Sequence, residues 1–343
     1  MTKFNDGTIV GEYERPYVVA ELNTSHFGDM DLARKMISEC ARIGVDCVKF
    51  QSWSAETLYS GSYYDQYPIT KRFVKKYSLS EEQLFELSGI CTENQIGFMS
   101  TPYSIEEASF LVEKCGVPAL KIASMEMNNL PFIKELAQLG SALILSSGMA
   151  DLEEIQTAVE TIQAAGCQNL VVLHCVSLYP IKNHDANIRN VQMLRDRLSG
   201  VSIGYSDHTL ELDAPAAAVA LGACLIERHF TQDRSRIGMD NNMATEPEEF
   251  AKLIRRCRQT WECMGHYERV VSQGELDQRL NMRRSVVYAD DLAAGTTLKP
   301  EHLVFKRPGT GIAPTEVDSV IGKTLQNDVV ADRLVVQSDI EMP

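Results

Sequence analysis

Residues 201–209 read VSIGYSDHT, and the stretch that follows some twenty residues later, 223–231, reads ACLIERHFT. Each begins as an apolar β-prone run and ends abruptly on polar groups, Ser206, Asp207 and His208 in the first and Glu227, Arg228 and His229 in the second. A short apolar run bounded by turn residues is the mark of a strand buried on both faces, as in a parallel sheet. Working outward, the same pattern recurs at 17–22, 46–51, 96–101, 118–124, 142–147 and 169–175. Helical patterns separate these runs. In Asp31–Ile43 the residues Leu32, Met36, Ile37, Cys40 and Ile43 share one face, and Leu152–Ala165 follows Asp151 as N-cap and stops at Gly166. Eight strands each followed by a helix predict an α/β fold, a (β/α)8 TIM barrel. The alternative, a doubly wound open sheet, lacks a G-x-G-x-x-G after any of its strands.

The chain has 343 residues, 44% of them hydrophobic, and exceeds one ordinary domain. The expected division is a barrel over 1–265, a polar linker over 266–283 and a small domain over 284–343. That last segment has short β-like pieces and turns rich in Gly and Pro. Residues 52–80 form a long excursion after the second strand, carrying Trp53, Tyr59, Tyr63, Tyr64, Tyr67 and Tyr77. It reads either as a loop beside the active site or as a plain surface insertion.

A net charge of −14 makes nucleic acid and anionic membrane poor partners. Nine cysteines, an odd number with no C-x-x-C pair, argue against a disulfide framework or a cysteine zinc site and for a reducing compartment. The N-terminus shows no basic-then-apolar leader, and the longest apolar run, APAAAVALGACLI, is too short to span a bilayer. The chain is expected to be cytoplasmic.

In such a barrel, reacting groups gather where the strands end. Those ends supply Glu21, Lys49 and Gln51, Thr101, Lys121 and Ser124, Ser146, Ser177 and Tyr179, Ser206 and His208, and Glu227 and His229. Lys49 and Lys121 interrupt otherwise apolar strands, and a buried lysine needs an anion. Converging on hydroxyls from Thr101, Ser124, Ser146 and Ser206, they suit a phosphate plus a carboxylate. Pairing of each lysine with a structural acid, Glu21 or Glu126, is the competing explanation. His208 and His229, on neighbouring strand ends with Asp207, Glu227 and Asp240 nearby, favour a shared divalent ion, Mn²⁺ or Mg²⁺ rather than a closed zinc site.

With these residues assembled, the sequence resembles the sialic acid synthase (N-acetylneuraminate synthase) family. The resemblance rests on AELNTSHFG, VKFQS, FMSTPY, LKIASMEMNN, LILSSGM, LHCVSLYP, GYSDHT, ERHFTQD and FKRPGTG, in the family's order. It implies condensation of phosphoenolpyruvate with the open-chain aldehyde of an N-acetylated amino sugar, releasing phosphate and giving a nine-carbon α-keto acid. Phosphoenolpyruvate would be held by Lys49, Thr101, Lys121, Ser124, Ser146 and Ser206. His208 and His229 would hold Mn²⁺ (or Mg²⁺ or Co²⁺), and Glu21 would orient or deprotonate a water. Gln51, Glu126, Ser177, Tyr179 and Asp240 match sugar-side positions. The C-terminal domain resembles the family's antifreeze-like (SAF) domain, and Arg307 matches an arginine that reaches a neighbouring subunit's site, implying a domain-swapped homodimer. Departures fall on the sugar side. Ser25 and Ser177 stand where many members have Asn, Gly238-Met239-Asp240-Asn241 where GPDH is common, and Met125 where the residue is usually small. The acceptor is therefore N-acetylmannosamine or a modified analogue, with a legionaminic- or pseudaminic-type precursor as the alternative. A metal hydrolase would want His-x-His on the first strand, which VVAELN lacks, and a non-catalytic sugar- or ice-binding protein leaves the rim chemistry without a purpose.

Overall fold

A computed structural model of the chain describes residues 1–341 and separates into two compact units, Met1–Gly265 and His266–Pro343. The first unit holds eight parallel strands: β1 (Tyr17–Glu21), β2 (Cys47–Gln51), β3 (Gly97–Thr101), β4 (Leu120–Ile122), β5 (Leu143–Ser146), β6 (Leu170–Cys175), β7 (Ser202–Asp207) and β8 (Leu225–His229). Seven lie within the windows expected from sequence, which for the last two strands are 201–206 and 223–230, and β7 runs one residue beyond its window. They pair in the order β3-β2-β1-β8-β7-β6-β5-β4, so the sheet curls until β3 and β4 meet as a near-closed barrel.

Helices close the outside. Met30–Ile43 is capped by Asp29, whose carboxylate accepts from the Asp31 and Leu32 amides, and ends at Gly44 with φ 86°. Its buried stripe is Ala33, Met36, Ile37 and Cys40. Leu152–Ala164 begins with the expected Asp151 cap, a capping box completed by Glu154.

Strand parity decides which side chains enter the barrel. Val18, Ala20, Val48, Phe50, Val172 and Ile226 pack outward in the large core under the helices. Tyr17, Val19, Cys47, Met99, Ile144, Val171, Leu173 and Leu225 form a second, inner core. A hairpin of Thr2–Lys3 against Ile9–Val10 brings Phe4 and Val10 into that inner core, and Thr2 Oγ1 donates to Leu170 O at 3.0 Å. The hairpin stops the N-terminal end of the barrel. Continuing along the inward parity toward the strand ends, the residues become Glu21, Lys49, Thr101, Lys121, Ser146, Cys175, Ser206, Glu227 and His229.

The 52–80 excursion folds into two short helices, Gly61–Gln66 and Pro68–Tyr77, around a small core of Trp53, Ala55, Tyr64 and Val74. The segment 266–283, expected as a linker, contains regular structure. Gln273–Met282 is a helix with a Ser272–Glu275 capping box, and it belongs to the C-terminal unit. The capping signature S-x-x-E was present in the sequence, but the polar face concealed it. That unit pairs β9 (Ser285–Tyr288) with β10 (Leu303–Lys306), antiparallel, over a core including Val286, Tyr288, Leu298, Val320 and Val335. Among the described residues no helix is long and apolar enough to cross a membrane.

Outside the barrel wall, Arg228 of β8 pairs with Asp207 of β7, both buried. The guanidinium also donates to Thr245 Oγ1 (2.6 Å), Glu211 O (2.9 Å) and Leu210 O (2.9 Å). The same carboxylate accepts from Tyr205 Oη and from the Thr209 amide and hydroxyl. Removing one charge leaves the other buried and unpaired. Asp207→Asn is therefore expected to destabilise the barrel by about 3–5 kcal/mol, measured as a lowered urea midpoint. A change below about 1 kcal/mol would mean the loops relax to solvate Arg228.

Candidate active site

The strand ends enclose a cavity of about 320 Å³, and its lining includes every expected site residue of the barrel unit except Glu126. Parallel register does the positioning: Glu21 lies beside Lys49 on one side and His229 on the other, Gln51 beside Thr101, and Glu227 beside Ser206.

The floor is ionic. Lys49 Nζ pairs with the Glu21 carboxylate, lies 3.8 Å from Glu227 Oε1 and donates to Thr101 Oγ1 at 3.3 Å. Lys121 Nζ donates to Ser146 Oγ at 2.6 Å and lies 4.0 Å from the same Glu227 oxygen. Ser206 Oγ donates to that oxygen too, at 3.2 Å. Ser124 Oγ accepts from the Gly148 amide at 3.1 Å, so another hydroxyl is held at the wall. Burial lowers Lys49 to about 8, opposed by Glu227 and reinforced by the charge of Lys121. Burial works to raise Glu227, but the Lys121 and Lys49 ammonium groups outweigh it and keep the carboxyl below its ordinary range.

Across the cavity the His208 and His229 rings stand 5.5 Å apart between centroids, with Tyr179 packed on both at 4.2 and 6.0 Å. His208 Nδ1 faces Val176 O at 2.8 Å, leaving Nε2 as the nitrogen able to ligate. Burial, then the positive charges of His208 and Lys49, push His229 well below its usual pKa, into the neutral form a metal requires. Among the described residues no third His, Cys, Asp or Glu completes a metal cluster. Two imidazoles with the remaining positions left to solvent or substrate fit an exchangeable divalent ion and not a closed structural site.

Glu21 is fixed at Oε1 by the Asn23 amide at 2.6 Å. Asn23 in turn donates its side-chain amide to Asp240, whose pKa burial raises. Tyr103 Oη donates to Gln51 Oε1 at 3.1 Å, and Trp53, Leu58, Tyr59, Met125, Met149 and Met239 line the mouth. The excursion after β2 thus belongs to the site.

One expected residue of the barrel lies outside the lining. Glu126 does not line the cavity and accepts instead from Asn129 Nδ2 at 2.8 Å. Ser124–Glu126 is a 3-10 turn, of which Ser124 and Met125 line the cavity. The acid beside Lys121 is Glu227, not Glu126. Arg307 lies in the C-terminal unit, exposed after β10. Glu227 was placed by the sequence only beside the histidines and not between the lysines, and Asn23 was given no role. The inward parity shared by Glu227 and His229 was the available signal for the first; Asn23 gave none.

Comparisons with known proteins give the family. The NeuB family model matches residues 36–269, and the SAF domain model matches 283–341. The chain is 35% identical to N,N'-diacetyllegionaminic acid synthase of Legionella pneumophila, over 95% of this chain and 94% of the relative. It is 34% identical to the N,N'-diacetyllegionaminic acid synthase of Campylobacter jejuni, over 94% and 99%. Among solved structures, the N-acetylneuraminic acid synthetase of Leptospira borgpetersenii, in complex with citrate, superposes with a TM-score of 0.73 at 32% identity, covering 79% of this chain and 93% of that one.

Lys49 gives the site a pH dependence of definite sign. Its folded-state value, about 8, is lowered, so the free site carries the full charge below that pH and loses one positive charge as pH rises through it. Sulfate, which stays a dianion, should bind about tenfold more weakly for each pH unit above roughly 8, by calorimetry. Affinity unchanged to about pH 9.5 would remove Lys49 from the anion site.

Proposed function

This chain belongs to the NeuB family of nonulosonic acid synthases, and from that premise we propose that it condenses phosphoenolpyruvate with the open-chain aldehyde of an N-acetylated hexosamine. The products are phosphate and a nine-carbon α-keto acid. The observation that carries the reading is the meeting of two buried ammonium groups and two imidazoles around one cavity.

Lys49, Lys121 and the hydroxyls of Thr101, Ser124, Ser146 and Ser206 bind the phosphate and carboxylate of phosphoenolpyruvate. Gln51, Ser177, Tyr179 and Asp240 orient the sugar chain on the opposite wall. A divalent ion on His208 and His229, Mn²⁺ or else Mg²⁺ or Co²⁺, supplies Lewis-acid polarisation of the aldehyde. C3 of phosphoenolpyruvate bonds to the aldehyde carbon, whose oxygen takes a proton from solvent to become a hydroxyl, and C2 becomes electron-poor. Glu21, held by the Asn23 amide and Lys49, takes a proton from the water that adds to C2. Collapse of that adduct breaks the C2–O bond, phosphate leaves, and the keto group forms. Holding both reactants beside one carboxylate supplies the proximity such a step needs.

The acceptor is N-acetylmannosamine or a modified analogue. A second reading, a di-N-acetylated dideoxyhexose leading to a legionaminic- or pseudaminic-type acid, is favoured by similarity to two diacetyllegionaminic acid synthases and by the Met125, Met149 and Met239 side chains at the mouth. We further propose a domain-swapped homodimer, in which Arg307 completes the partner's sugar site, and a cytoplasmic location, in keeping with nine free cysteines.

Purified protein with Mn²⁺ and phosphoenolpyruvate should release phosphate only when a suitable acetylated hexosamine is added. Lys121→Ala should abolish that release and the thermal stabilisation by phosphoenolpyruvate. Stabilisation of the variant equal to wild type would assign the lysine a purely structural part. Arg307→Ala should raise the sugar KM about tenfold or more with phosphoenolpyruvate KM nearly unchanged. Equal sugar KM values in variant and wild type would count against the swapped arrangement.

A further inference from the structure

Glu227 is a carboxylate in a place that an anion site would be expected to keep free of negative charge. It is buried inside the barrel at 6% exposure, and a single oxygen, Oε1, faces both lysines and Ser206 at 3.8, 4.0 and 3.2 Å. Lys49 has a second carboxylate partner in Glu21, whereas Lys121 has no carboxylate but Glu227 within 4.0 Å among the described residues. Two ammonium groups therefore face two carboxylates, and the floor is already neutral. A cavity shaped only to bind phosphate tightly would compensate its ammonium groups less fully than this.

Phosphate seated between two buried, otherwise uncompensated lysines would be hard to release, because its departure would strand both charges in a low-dielectric pocket. A built-in carboxylate changes that balance. When the anion leaves, Lys121 and Lys49 return to Glu227, and binding exchanges one anionic partner for another. We propose that Glu227 is a positioning residue that serves as an internal competing counter-ion: it pairs with Lys49 and Lys121 and so weakens the hold of the site on phosphate, allowing product release. The inference rests on the reading in which those lysines hold the phosphate group.

The test uses the full-length protein with inorganic phosphate as the probe, at about pH 6.5, where Lys49 is protonated. Glu227→Gln keeps the shape and the contact with Ser206 while removing the charge. It should bind phosphate about tenfold more tightly by calorimetry, as expected from loss of one close competing charge. In the assay with acceptor sugar, KM for phosphoenolpyruvate and kcat should fall together, and added phosphate should inhibit at lower concentration. Glu227→Asp, which draws the carboxylate back by one methylene, should move the same quantities in the same direction by a smaller factor and serves if the glutamine variant does not fold. Unchanged or weaker phosphate binding in the folded variants overturns the proposal. Failure of the wild-type protein to bind phosphate or phosphoenolpyruvate would instead overturn the functional reading beneath it.

Discussion

Two lysine side chains held inside a near-closed parallel sheet set the terms for everything around them. An ammonium group buried without a partner is costly enough to shift its own proton or disrupt the fold. This barrel meets that demand with Glu21 and Glu227 on neighbouring strands, and with Thr101 and Ser146 as further partners. The strand register makes the arrangement possible: β1 sets Glu21 level with Lys49, and β8 sets Glu227 level with Ser206. Charge at one end of the strands and hydrocarbon at the other follow from a single inward parity. Along β1 that parity runs Tyr17, Val19, Glu21, and along β8 Leu225, Glu227, His229.

The opposite parity carries a separate job. Asp207 and Arg228 alternate with Ser206 and Glu227, so the two strands that furnish the histidines are tied together on their outer face by an ion pair that never reaches the cavity. Reactivity inward and cohesion outward are written on alternate residues of the same strands. The polar crowding of GYSDHT and ERHFT comes from these two functions sharing a few positions.

Much of this was legible before coordinates. Apolar runs and intervening helical stripes located all eight strands, because buried parallel strands have little freedom in composition. Lys49, Lys121, His208 and His229 stood out because charged groups in apolar runs demand a reason. What stayed hidden depended on rotation or on long-range partners. Glu126 reads as a neighbour of Ser124, yet its carboxylate is taken up by Asn129 Nδ2. Glu227 reads as one acid in a polar cluster, and only closure of the barrel brings it between lysines from β2 and β4. The helix Gln273–Met282 has only Leu276 and Leu280 on one face amid polar residues, too short a stripe to announce it.

The hairpin of Thr2–Lys3 and Ile9–Val10 plugs the barrel opposite the cavity with Phe4 and Val10. Traffic is thereby confined to a single doorway. Under the proposed chemistry the lysine floor lies deepest, so the three-carbon reactant must arrive before the sugar, and the inorganic product must queue behind the nine-carbon one. A blocked back entrance thus imposes sequence on events that the reaction itself leaves unordered.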